Sequence, residues 1–134
     1  MPGVLVDSNV LLDVLTEDPT WLDWSSTALA RAAETDVLII NPIIYSEVSV
    51  RFERIEELDA ALPPSLFRRD GLPWEAGFLA GKCFRTYRRE GGARTSPLPD
   101  FYVGAHAAIR GHALLTRARA RYRTYFPTIE LITP

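Results

Sequence analysis

Cysteine is all but missing from this sequence of 134 residues. Cys83 stands alone, so no disulfide closes within the chain and no multi-cysteine zinc site can be assembled from it. Lysine is nearly as scarce: Lys82 is the only one among 15 basic residues, and the rest are Arg. There are two histidines, His106 and His112. No serine lies in a nucleophile-elbow sequence, which sets aside a Ser-His-Asp hydrolase. Long apolar runs are absent, since the longest, Val37 to Ile40, is far short of the roughly 20 residues of a membrane span. The opening residues show neither the basic region nor the apolar stretch of a signal peptide. Gly91-Gly92 is not followed by the Lys-Ser/Thr of a phosphate loop and reads as a helix stop. The expectation is a cytoplasmic chain without a membrane partner, free of repeats and linkers.

What is present suits one globular unit. Hydrophobic residues make up 47% and charged residues 24%, an ordinary balance at a length that buries a real core. One domain over residues 1–134 is expected. The net charge of −2 hides a strong asymmetry. Residues 1–67 carry 12 acids against three Arg, and residues 68–134 carry 12 basic residues against five acids. Solvated helix faces produce such blocks. So does a protein that holds cations on one side and a polyanion on the other.

Hydrophobic periodicity divides the chain into alternating elements. Val4-Leu5-Val6 reads as a buried strand ending at Asp7, followed by a helix from Ser8 to Thr16. A second helix runs from Pro19 to about Glu34, then a β-rich run from Asp36 to Ile40. Asn41-Pro42 opens a long helical segment to about Leu62. A connector follows, bracketed by Pro63-Pro64 and Asp70-Gly71, then a helix from Trp74 to Arg89. Ser96-Pro97-Leu98-Pro99 leads into an apolar helix from Asp100 to Arg110, which Gly111 ends. Ala113 to Thr116 is a third strand, Arg117 to Tyr122 a basic connection, and Ile129 to Ile132 a last strand. Short apolar strands alternating with helices predict a parallel sheet covered on both faces. Such sheets bind ligands beyond the carboxyl ends of their strands.

Three acids belong near that rim: Asp7 after the first strand, Glu47 one turn into the third helix, and Asp100 at the start of the apolar helix. Gathered carboxylates repel unless protonated or neutralised by a cation. Oxygen-only ligation suits Mg²⁺ or Mn²⁺. A metal so held activates water and stabilises charge on a phosphate. Each acid also has a structural reading. Asp7 caps a helix, Glu47 pairs with Arg51 four residues on, and Asp100 after Pro99 is an N-cap. Ser8 reads as a further cap. Arg85, Arg117, Arg119 and Arg121 are candidates for contact with the phosphates of a polyanion or plain surface residues. An aspartyl-phosphate enzyme built on Asp7 would need a second Asp where Asn9 stands.

Four segments, taken in order, resemble the PIN-domain ribonucleases, the toxins of VapBC-type systems. Val-Leu-Val-Asp-Ser-Asn-Val-Leu-Leu-Asp (4–13) is similar to their opening strand and turn. Asn41-Pro42-Ile43-Ile44-Tyr45-Ser46-Glu47-Val48 is similar to a second segment that ends in a Glu. Pro99-Asp100-Phe101-Tyr102-Val103-Gly104-Ala105-His106-Ala107 resembles a third, where an Asp opens a buried helix. Leu114-Leu115-Thr116-Arg117 resembles a fourth, and residues 121–127 fit a toxin-type ending. The resemblance implies a PIN-like three-layer α/β/α fold with a short, mostly parallel central sheet. It also implies an endoribonuclease hydrolysing RNA phosphodiesters, with Asp7, Glu47 and Asp100 around Mg²⁺ or Mn²⁺ and, beside its capping role, Ser8 as an auxiliary oxygen there. A homodimer and a cognate antitoxin are implied as partners.

One position departs from the pattern. The family's fourth acid follows the Thr-Arg pair, and here that residue is Ala118. Three acids predict weaker metal binding and impaired cleavage. The alternative is a non-catalytic PIN domain that binds RNA or antitoxin.

Overall fold

The sheet is built from strands of only two or three residues, and its apolar middle explains how so little backbone suffices. In the computed structural model, which describes residues 1–94 and 98–134, five strands lie in the order β3-β2-β1-β4-β5, all parallel. They are β1 (Val4–Val6), β2 (Leu38–Ile40), β3 (Phe67–Arg69), β4 (Ala113–Leu115) and β5 (Leu131–Ile132). Every residue of β1 and β2 is buried, as expected of central parallel strands covered on both faces. Val4 aligns with Leu38 on one side and Ala113 on the other. The architecture is the three-layer α/β/α arrangement, with the sheet wholly rather than mostly parallel.

The helices are α1 (Ser8–Leu15), α2 (Leu22–Thr35), α3 (Pro42–Ser49), α4 (Ile55–Ala61), α5 (Trp74–Arg89), α6 (Pro99–Arg110) and α7 (Arg119–Tyr125). Local chemistry fixes several of their ends. Asn41 Oδ1 accepts from the Ile44 N–H at 2.9 Å, with Pro42 at the first helical position, so α3 starts on a cap and a preset φ. Gly111 closes α6 in the left-handed conformation at φ 70°, which costs a residue without Cβ little.

Four expectations need correction. The long helix from Pro42 to Leu62 is two helices, broken between Ser49 and Ile55. The last turn of α3 tightens through bonds from Arg51 N–H to Val48 O and Phe52 N–H to Ser49 O. Arg54 is extended before α4 begins, and Tyr45 ties the halves together by donating to Asp59 at 2.7 Å. The connector before Trp74 contains β3, whose Arg68 and Arg69 are tolerated because it is an edge strand. The basic stretch after Thr116 is mostly the helix α7. The second helix also starts later than Pro19, because Asp18 Oδ1 holds the Thr20 and Trp21 N–H groups in a turn, both at 2.9 Å. Ser96 and Pro97, read as the lead into α6, lie outside the described residues.

One close approach positions α7. A Cβ on Gly104 of α6 would stand 2.3 Å from the ring of Phe126, which is buried. Without that side chain, Phe126 lies directly on α6 and brings the end of α7 down beside it.

Candidate functional site

The chain runs from β1 outward to β2 and β3, then returns to lay β4 on the other side of β1. The carboxyl ends of β1 and β4 therefore flank the point where the strand order reverses, which is where open parallel sheets hold ligands. Asp7 leaves β1 there and Thr116 leaves β4.

Asp7 is 3% exposed, and its bonds are nearly all short. Oδ1 accepts from the Ser8 N–H at 2.8 Å, capping α1. Oδ2 accepts from the Thr116 hydroxyl at 2.8 Å and the Tyr122 hydroxyl at 2.9 Å, with Asn9 Nδ2 at 3.4 Å. Burial raises the Asp7 pKa and the Asp100 charge adds to the rise, while the hydrogen bonds oppose it. Glu47 projects from α3 half-buried, and its Oε1 accepts from the Ser8 hydroxyl at 3.0 Å. Its pKa is also raised, by burial first and then by the charges of Asp7 and Asp100. Asp100 lies inside the first turn of α6, one residue past Pro99; Leu98 occupies the cap position. Its Oδ1 is 3.1 Å from the Tyr122 hydroxyl and its Oδ2 is 3.3 Å from Arg121 Nη1.

The three acids thus face one region and feel one another's charge, but hydroxyls stand between them: Ser8 joins Asp7 to Glu47, and Tyr122 joins Asp7 to Asp100. As a set they do not approach within 4.8 Å. The donor set still fits a hard cation. All donors are oxygens, and burial leaves two of them short of neutralising charge.

Ala118 immediately precedes α7, half-buried, and its N–H donates to the Thr116 hydroxyl at 3.0 Å. The position is thus one hydroxyl away from Asp7. Asn9 completes the bracing. Its Nδ2 lies 3.2 Å from the Thr116 hydroxyl oxygen, and its Oδ1 accepts from the Arg117 N–H at 3.2 Å.

The basic side chains fare differently. Arg85 on α5 and Arg119 on α7 are exposed. Arg117 is bound to Asp13 of α1 by two bonds of 2.7 and 2.9 Å. Asp13 is buried and also accepts from the Ser25 hydroxyl at 2.6 Å. The Arg117 guanidinium lies 4.9 Å from the centre of the Trp21 ring. Its fork is filled by a carboxylate, and Arg121 is the cation seated at the acidic site.

Sequence reasoning missed Tyr122, Thr116 and Asn9 as members of the site. A helical reading of residues 119–125 would have exposed Tyr122, because Tyr122 and Phe126 then share one face at i and i+4.

A second cluster gathers elsewhere. Asp70, His106 and His112 each bring a potential ligand atom within 4.8 Å of the other two. The tautomers argue against a cation. His112 Nδ1 accepts from the Gly3 N–H at 3.1 Å, so its proton is on Nε2, 3.3 Å from Asp70 Oδ2. Asn41 Oδ1 is taken by Ile44, so its amide NH₂ faces His106 Nδ1 at 2.9 Å. That leaves the His106 proton on Nε2, buried without a partner. A ligating imidazole donates from its other nitrogen; in both of these the other nitrogen accepts. Burial holds both pKa values down, His106 to about 4. The cluster is a neutral histidine pair.

Comparison with known proteins places the fold. No protein-family model and no curated protein matches the sequence. Solved structures do match over nearly the whole chain. VapBC2 from Rickettsia felis, bound to a DNA fragment from its promoter, aligns with TM-score 0.72 at 16% identity, covering 97% of each chain. VapBC-1 from nontypeable Haemophilus influenzae aligns at 0.70 and 16% identity, covering 97% of this chain and 96% of that one. A toxin–antitoxin complex from Klebsiella pneumoniae aligns at 0.68 and 21% identity, covering 98% of each. The chain has the PIN-like fold of these toxin–antitoxin structures.

Proposed function

We propose that this chain, as one PIN domain over residues 1–134, is a divalent-metal-dependent endoribonuclease, the toxin of a toxin–antitoxin pair. The observation that carries the reading is the placement of Asp7, Glu47 and Asp100. Three acids from three separate elements face one region at the strand-order reversal, with Asp7 pushed up by burial and the charge of Asp100, and Glu47 by burial and the charges of Asp7 and Asp100. A protein tolerates such an arrangement when a cation completes it. Mg²⁺ or Mn²⁺ held there supplies an activated water and neutralises charge on the attacked phosphodiester. Thr116 and the Ser8 N–H fix the Asp7 carboxylate, and the Ser8 hydroxyl orients Glu47 at the half-buried mouth. Arg121 beside Asp100, with Arg85 and Arg119 on exposed faces, can hold the RNA backbone. Arg117 reaches a phosphate only by leaving Asp13. The assemblies in which the fold recurs support an antitoxin partner; a homodimer belongs to the proposal. Among the described residues no helix is long and apolar enough to cross a membrane.

Ala118 favours a second reading, a non-catalytic domain that binds RNA or antitoxin. One comparison separates them: the chain and Ala118→Asp on the same RNA, with Mn²⁺ and with EDTA. We expect slow, EDTA-sensitive cleavage by the chain. The variant should be about 10²–10³-fold faster, the usual worth of one charge-stabilising group. Absence of cleavage by both proteins would establish the non-catalytic reading.

A further inference from the structure

The Tyr122 hydroxyl is fully buried, 2.9 Å from Asp7 Oδ2 and 3.1 Å from Asp100 Oδ1. A phenol has one proton and donates along one direction. It serves one of these carboxylates well and leaves the other facing an oxygen lone pair. The same place between two acids is where a divalent cation would gain most, since Mg²⁺ and Mn²⁺ ligands lie about 2.0–2.2 Å from the ion. The acids as a set are too far apart for direct chelation, and this hydroxyl is one of the spacers. Its position is not loosely held: Phe126, one turn on, is clamped against Gly104.

We propose that Tyr122 is a positioning residue that occupies the cation's place. Its hydroxyl holds Asp7 and Asp100 apart in the metal-free protein and must give up at least one of them when a divalent ion binds. The inference rests on the metal reading of the acidic site and adds that the chain carries a built-in competitor for the ion. Thr116 bonds the same Asp7 oxygen at 2.8 Å but does not bridge to Asp100, so it braces without competing.

The test is calorimetric titration of MnCl₂ into the full chain, Tyr122→Phe, Thr116→Val and Asp7→Asn. Tyr122→Phe should bind Mn²⁺ about tenfold more tightly, the equivalent of one net hydrogen bond to a charged group no longer broken on binding. Thr116→Val should bind more weakly, and Asp7→Asn should not bind, which locates the ion. A purely structural tyrosine would lower the melting temperature of the variant without tightening the ion. If the chain binds Mn²⁺ and Tyr122→Phe binds equally or less well, the competitor role is overturned while the metal site stands. If neither binds, the metal reading falls and the inference with it. Should Tyr122→Phe fail to fold, the unaltered chain decides through its tyrosine ultraviolet difference spectrum at saturating Mn²⁺. A change in the environment of one tyrosine is expected, and no change overturns the role.

Discussion

Replacing Arg117 with Met separates two roles the sequence left open, an RNA contact and a structural brace. The guanidinium gives two short bonds to Asp13, whose side chain is 3% exposed, while 29% of the Arg117 side chain remains open to water. Breaking a buried ion pair by removing one partner costs about 3–5 kcal/mol, because a charge is left uncompensated in a poor solvent. Water at the arginine end lets the orphaned carboxylate recover part of its hydration, so about 2–3 kcal/mol is the reasonable figure. Loss of the Trp21 contact adds roughly 0.5–1 kcal/mol. Against a total stability on the order of 5–15 kcal/mol, such a loss moves a urea midpoint visibly. Equilibrium unfolding followed by tryptophan emission measures it, since Trp21 sits on the perturbed group. Adding Asp13→Leu to Arg117→Met should recover at least half of the loss, because the unpaired charge goes with it. A loss below about 1 kcal/mol, together with a large drop in RNA affinity, would refute this account and return Arg117 to the RNA surface.

Two further outcomes follow from named contacts. Gly104→Ala should destabilise by about 1–3 kcal/mol through overpacking against Phe126; it should also loosen Tyr122, read as faster hydrogen exchange in residues 119–125. The neutral histidine pair should give the protein an acid-labile limb. His106 titrates near 6.5 when unfolded and at about 4 in the fold, so the unfolded chain takes up the proton first. Its contribution is complete above about pH 6.5 and drains away as pH falls toward 4, by about 3 kcal/mol in all. His106→Leu should flatten that limb in a pH series of urea midpoints.

The main alternation of strands and helices, and the places of Asp7, Glu47 and Asp100 within it, were legible because they rest on short-range signals. Val4-Leu5-Val6 before Asp7 is a buried strand by composition alone, and Asn41-Pro42 announces a helix start. What escaped depends on contacts distant in sequence. Phe67-Arg68-Arg69 has no apolar run to mark it, and it becomes a strand because β2 offers an edge. The basic segment after Thr116 looks solvated until Phe126 finds the bare backbone at Gly104. The break after Ser49 comes from a tightened last turn, and Tyr45 then reaches Asp59 across the gap. Periodicity carries none of this, so Tyr122 fell within a segment read as a basic connection.

Asp7 and its partners Thr116 and Tyr122 are 109 and 115 positions apart. The central strand β1 is made well before its neighbour β4, which follows β2 and β3 in the sequence. A nascent polypeptide emerging N-terminus first cannot close the second edge of β1 or assemble the acidic pocket until Thr116 and Tyr122 have been synthesised. A messenger cut or stalled before Thr116 yields a product with an open β1 edge and no formed site. For the proposed nuclease, biosynthetic order itself thus delays competence until these late residues have emerged, and leaves incomplete copies to proteolysis.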